Sequence, residues 1–256
     1  MRTLITLTKP RYHASFATVA VAALLFAPIL DTSVLARLAA LYVSFNVLLY
    51  GGIYTFNDIA DREADARHPL KRFRPVASGV LGVRAATAIA CALSAAGIAS
   101  AVWLFPAPVL ACYAAIVVLN AAYSFGGRDR LVLDVALNSM PHAVRFAMGV
   151  LLVDRTPPLG HVTAWFFLAI GISCVRRLIE KESGGEAARP VLRRYSSAGL
   201  ALAADGGVIP VLLLAIANGA HSPGFFAIAV PAYLLLVISA RRTPAAYGGF
   251  ERLWLR

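Results

Sequence analysis

The chain has 256 residues, of which 59% are hydrophobic and 14% charged, against about 45–50% and about 25% in an ordinary soluble domain. That composition excludes a disordered chain, a coiled coil and most soluble folds. The net charge of +11 would suit a nucleic-acid binder, but the Lys and Arg residues stand in short clusters between apolar runs, with no basic stripe interleaved with aromatics. No nucleic-acid partner is expected, and membrane lipid accounts for the charge better.

A bilayer span takes roughly 20 mostly apolar residues. In chain order, apolar runs separated by loop punctuation predict eight spans, near 12–30, 38–57, 84–105, 107–125, 131–152, 161–179, 197–219 and 222–240. The first run follows MRTLITLTKPRYH without a small-residue cleavage pattern, so it reads as a retained span, and no targeting segment is apparent. The expected fold is all-α, a polytopic transmembrane helical bundle forming a single domain over residues 1–256. Of the 24 Lys and Arg residues, all but Arg37, Arg145 and Arg155 fall in alternate loops or at the termini. The positive-inside rule then predicts a multi-pass protein of the inner (cytoplasmic) membrane with both termini cytoplasmic. The two long polar loops, roughly 58–83 and 180–196, belong to that side, which is where chemistry is expected. Cys91, Cys112 and Cys174 have no CxxC or His partner at ligand spacing and read as small core hydrophobes. The Ala-rich stretch 85–101 is helix-packing material.

The segment Asn57-Asp58-Ile59-Ala60-Asp61-Arg62-Glu63-Ala64-Asp65 is the most informative one. If the span continues as a helix, Asp58, Asp61 and Asp65 at i, i+3 and i+7 share one face. Three anions so placed repel one another, and a cation relieves the repulsion; hard oxygen ligands suit Mg²⁺, which takes one or two carboxylates and completes its shell with water and substrate phosphates. The plain alternative, a solvated helix end, fits less well, because an acidic cluster runs against the positive bias of its own loop. Basic residues follow at once in His68-Pro69-Leu70-Lys71-Arg72-Phe73-Arg74-Pro75, and cations beside a Mg²⁺ site are what a diphosphate needs. The competing reading of those charges is that they only set topology.

NDxxDxxxD followed by HPxKxxRPxASG resembles the first motif of the UbiA superfamily of intramembrane prenyltransferases. The resemblance implies that Asn57, Asp58, Asp61 and Asp65 bind Mg²⁺-diphosphate at the cytoplasmic mouth of the bundle. It continues through Tyr123-Ser124, Arg128, Asp134, Arg145 and Gly149. Further on, Arg176-Arg177-Leu178-Ile179-Glu180 and then Arg189, Arg193 and Arg194-Tyr195-Ser196 are similar to the pattern of the decaprenyl-phosphate phosphoribosyltransferase branch. On that branch the diphosphate belongs to phosphoribosyl pyrophosphate and the acceptor is a polyprenyl (decaprenyl) phosphate.

The resemblance therefore implies a Mg²⁺-dependent membrane transferase that moves 5-phosphoribose to a polyprenyl phosphate and releases diphosphate. Asp58, Asp61 and Asp65 are the catalytic and metal-binding candidates. Asn57, Lys71, Arg74, Tyr123, Arg128, Asp134, Arg145, Arg177 and Glu180 are the substrate-binding ones. The alternative enzyme is a prenyltransferase joining a polyprenyl diphosphate to an aromatic or other small acceptor, whose second Asp-rich motif near 174–184 is represented here only by Glu180 and Glu182. A transporter would place its ionisable residues near the midplane, whereas these sit at the span ends. The DGxxAR signature of the CDP-alcohol type of lipid phosphotransferase is absent. Arg145, inside a span, needs an anion, with a phosphate and a link to Asp134 as competing partners. Tyr123 reads equally as a phosphate ligand or an interface anchor, and Asp205 beside Gly206-Gly207 as a helix irregularity. A homo-oligomer is left open.

Overall fold

The computed structural model describes residues 9–27, 29, 31–67, 71–187, 189–217 and 223–255. Among them there is no strand, and seven helices are long and apolar enough to cross a membrane. In chain order the helices are α1 (Ala17–Phe26) and α2 (Thr32–Ala60), then α3 (Arg62–Arg67), α4 (Val83–Leu104) and α5 (Ala107–Ser124). The remainder are α6 (Leu133–Leu152), α7 (Leu159–Glu182), α8 (Ser197–Ala217), α9 (Pro223–Arg242) and α10 (Pro244–Leu255).

The expectation of eight spans is corrected at its first member. The apolar helix there runs only over His13–Phe26, too short to cross. Its local chemistry explains the shortening. Pro10–Phe16 winds as a 3₁₀ turn, and Ala27, which precedes Pro28, is extended at φ −62° and ψ 127°, the conformation a following proline imposes. α2 starts earlier than expected because the Asp31 carboxylate accepts a hydrogen bond from Val34 N–H at 3.0 Å, an N-cap.

The chain divides into two compact units, one of residues 1–120 with 147–156 and one of residues 121–146 with 157–256. In the first, α2 carries a π-type stretch at Tyr42–Leu49 that buries Ser44, Phe45, Asn46 and Leu49. A Cβ on Gly97 of α4 would lie 2.7 Å from Leu49 N and 2.9 Å from Ser44 O, so only glycine admits this backbone approach. Ser44 Oγ donates to Gly97 O at 2.9 Å and accepts from Tyr113 at 3.0 Å and Ser100 at 2.9 Å. Only part of the Ala-rich stretch packs: Ala86, Ala90 and Ala101 are fully buried, while its other six alanines are exposed. Gly149 packs directly on the carbonyl of Val19, which makes its place in the family pattern a packing role.

In the second unit, Phe146, Trp165, His161, Phe225 and Phe226 form one aromatic core, with Phe146 stacked on Trp165 at 5.2 Å between ring centroids. α8 is interrupted at Gly207, because Pro210 lacks the N–H that would bond the Gly206 carbonyl. Asp205 beside it is ion-paired with Arg241. Cys112 and Cys174 are buried as expected, but Cys91 is exposed on α4.

Candidate active site

The first charged cluster is built where α2 ends. Asp61 occupies the C-cap position, φ −89° and ψ 1°, its N–H bonded to Asn57 O at 2.9 Å, and the chain restarts as α3. The expected continuous face is therefore broken between its second and third carboxylates. Asp58, on the last turn of α2, and Asp65, on α3, are 2% and 4% exposed. They are gathered by one side chain. Arg74 Nη1 lies 3.1 Å from Asp58 Oδ1 and 2.7 Å from Asp65 Oδ2. Arg74 is aimed by a stiff loop in which its N–H bonds Lys71 O at 2.9 Å, Leu81 N–H bonds Pro75 O at 2.8 Å, and Val76 is buried. Lys71 stands on the short 3₁₀ turn Lys71–Phe73 at the start of that loop.

Among the described residues no three His, Cys, Asp or Glu side chains converge closely enough to hold one ion. The convergent acidic group is thus the pair Asp58 and Asp65, with Asp61 in the helix break. The donor set fits Mg²⁺: two buried hard-oxygen carboxylates meet a single cationic nitrogen, and Mg²⁺ uses one or two carboxylates and leaves its other positions to water and phosphate.

Lys9 completes this cluster and was not among the expected site residues. Its Nζ lies 2.6 Å from Asp58 Oδ1 and 5.5 Å from the centre of the Tyr54 ring. Burial pushes its pKa below the usual value of 10.5, while Asp58 pulls it back up. Forty-nine residues separate Lys9 from Asp58, and no local pattern announces such a pair.

The second cluster lies in the other unit, on α5, α6 and α7 and the loop after α7. Arg177 and Asp134 are 1% and 0% exposed and bond in parallel, Nε to Oδ2 at 2.6 Å and Nη2 to Oδ1 at 2.8 Å. Arg177 Nη1 also reaches Glu180 Oε2 at 2.8 Å, a pair at i, i+3 on one helix face. The Tyr123 hydroxyl accepts from Arg177 Nη2 at 3.0 Å and from Arg189 Nη2 at 2.6 Å, and donates toward Asp134 Oδ1 at 3.3 Å. Those bonds fill the capacity of a phenol. In this geometry Tyr123 joins both guanidiniums to the carboxylate. Arg189 Nη1 stands at 3.5 Å from Glu180 Oε2 and 3.6 Å from Asp134 Oδ1, a looser grip than that of Arg177. Asp134 is aimed by a strained turn: Val132 is left-handed at φ 71°, and its N–H bonds the Tyr195 hydroxyl at 3.3 Å.

The partner of Asp134 is thus Arg177, from another helix. Arg145 itself is buried, 4% exposed. Arg128 lies on the turn Gly127–Asp129, its Nε 4.0 Å from Asp129, with its side chain 41% exposed. Arg189, quoted in the family pattern without a role, belongs to the cluster. Its signal was its place in that pattern.

A decaprenyl-phosphate phosphoribosyltransferase from Mycobacterium tuberculosis is 28% identical over 219 residues, 80% of this chain and 70% of that protein. The enzyme of the same name from Mycolicibacterium smegmatis is 36% identical over 139 residues, 54% of this chain and 41% of that protein. A UbiA homologue from Archaeoglobus fulgidus, solved with GPP and Mg²⁺, superposes with a TM-score of 0.78 at 18% identity, covering 99% of this chain and 95% of that one. The model of the UbiA prenyltransferase family matches residues 14–243. A match of that extent makes the chain a member of the UbiA prenyltransferase family and hence a membrane-embedded transferase.

Proposed function

We propose that the protein transfers 5-phosphoribose from phosphoribosyl pyrophosphate to a polyprenyl phosphate, with Mg²⁺, at the cytoplasmic side of an inner membrane. The whole chain acts as one transferase domain in this reading, with both termini cytoplasmic. Two relatives bearing the decaprenyl-phosphate phosphoribosyltransferase name support the substrate class. The observation that carries the reading is the convergence of Asp58 and Asp65 on one cationic nitrogen, flanked by Lys9 and the Lys71–Phe73 turn.

Asp58 and Asp65, with Asp61 and Asn57 beside them, would hold the metal, which when bound supplies the charge that a departing diphosphate needs. Lys71 and Arg74 neutralise the rest of that leaving group. The bond between ribose C1 and the diphosphate oxygen breaks with its electron pair leaving on diphosphate. An already ionised oxygen of the polyprenyl phosphate donates the pair that forms the new C1–O bond, so no strong general base is needed. Positioning and electrostatic stabilisation carry the catalysis.

The second cluster favours this reading over aromatic prenyl transfer. Asp134 and Glu180 are neutralised by Arg177 and Arg189, which favours a role among the further phosphates of this reaction over a second carboxylate site for a metal-bound diphosphate. In that role Arg189, the more loosely held cation, is the residue assigned to phosphate. Arg128 and Arg145 remain assigned to substrate phosphates on the family pattern alone.

The test is an in vitro transfer assay on the purified protein with Mg²⁺. One arm pairs labelled phosphoribosyl pyrophosphate with decaprenyl phosphate, and the other pairs a polyprenyl diphosphate with hydroxybenzoate. Label entering the lipid phase only in the first arm, and lost in Asp61→Ala, is the expected result. Product only in the second arm would replace this reading with aromatic prenyl transfer.

A further inference from the structure

We propose that Lys9 is an exchangeable counter-cation of the acidic pair: a divalent cation displaces it from Asp58, and its ammonium then turns to the diphosphate. The inference rests on the metal assignment above and adds a residue and an order of events to it.

Asp58 Oδ1 is held by two cations at once, Lys9 at 2.6 Å and Arg74 at 3.1 Å, while the Asp58 side chain is only 3% exposed. Those two cations occupy that oxygen between them, so a metal that takes it must displace one of them. The residents differ in how readily they leave. Arg74 bridges both carboxylates through one nitrogen and is aimed by its hydrogen-bonded loop. Lys9 touches one carboxylate only, as a point charge on a flexible stem.

Backbone strain points the same way. Lys9 sits at φ 47° and ψ 65°, the left-handed region that a non-glycine residue adopts at a cost, immediately before Pro10. The ion pair holds the chain there, and its loss relieves the backbone as well as the carboxylate. Asp58 and Asp65 are already paired with Lys9 and Arg74, so a divalent cation added without release of Lys9 would meet two cations on the carboxylates it needs. A diphosphate arriving with the metal restores the balance and gives the released ammonium an anion within reach. Metal alone should therefore bind weakly, and metal with diphosphate tightly.

The experiment uses the purified full chain in detergent, with Mn²⁺ as the probe and free Mn²⁺ counted by electron paramagnetic resonance, with and without inorganic diphosphate. Lys9→Met is expected to bind Mn²⁺ alone at least about fivefold more tightly than the wild type, the low end of typical coupling between ligands. The same variant should lose most of the gain in Mn²⁺ affinity that inorganic diphosphate confers. Lys9→Arg, which keeps the charge in a fork less ready to leave, should bind Mn²⁺ alone no more tightly than the wild type, Asp58→Asn should abolish tight binding, and thermal unfolding of each variant identifies any loss of fold. Mn²⁺ affinity unchanged or weakened in Lys9→Met, or an undiminished effect of diphosphate, overturns the exchange. Transfer that requires Mg²⁺ while Lys9→Met leaves Mn²⁺ binding untouched would refute the exchange alone, whereas transfer that persists in a chelator would remove the metal from the proposed function as well.

Discussion

The two charged clusters use the same residue types to opposite ends. At Asp58 and Asp65 the anions are buried, but the cations keep an open edge, with Lys9 14% and Arg74 21% exposed. At Asp134 the cation is buried too: Arg177 is 1% exposed, doubly bonded to the carboxylate, and shares Tyr123 with Arg189. In the proposed function the first arrangement suits binding, because its cations reach solvent, whereas Asp134 is gripped by an Arg177 that is bonded through all three of its nitrogens and so locked in place.

The sharpest way to break that contrast is to remove the locked cation. Arg177→Met leaves Asp134 charged and buried, and is expected to cost about 3–5 kcal/mol of stability, read as a lowered midpoint of thermal unfolding in detergent. The double variant with Asp134→Leu should recover part of the loss, because no bare charge remains. Asp58→Asn and Asp65→Asn should shift the weight to activity: transfer falls by about 10²-fold or more, while the unfolding midpoint drops less than in Arg177→Met, because Lys9 and Arg74 reach solvent. A smaller effect is expected at Tyr123→Phe, which takes away the hydroxyl shared by two guanidiniums; about 1–3 kcal/mol of stability should be lost, with more of it restored by packing than in the Arg177 variant. Least of all, Arg128→Ala, at a half-exposed pair 4.0 Å long, should change stability by less than about 1 kcal/mol. If that variant nevertheless loses transfer activity, Arg128 acts on substrate, as the family pattern implies. A result in which Asp58→Asn unfolds the protein and Arg177→Met leaves it intact would reverse the comparison.

Much of the architecture was legible in the sequence, and for a definite reason. Lipid offers no hydrogen bonds, so a crossing segment outside a closed β-barrel must be a long helix, and seven of the eight expected spans are such helices. The exception turned on backbone chemistry: Pro10 opens a 3₁₀ turn, and among the described residues the apolar helix of that run covers His13–Phe26. The break at Asp61 had no such marker. Ile59-Ala60-Asp61-Arg62 contains neither Gly nor Pro, so helical spacing was carried straight through it. The acidic motif itself was visible because its charge runs against that of its own loop. Its partner Lys9 was counted only as a topological charge.

Helix propensity, hydropathy and charge bias are properties of neighbours along the chain, and from them came the transmembrane helices, the basic side and the acidic motif. Which charge meets which was decided by the tertiary structure alone. Coulomb attraction between buried groups depends on distances in space, and the decisive pairs join residues far apart in sequence: Lys9 with Asp58 across 49 positions, Arg177 with Asp134 across 43, and Arg189 with Tyr123 across 66.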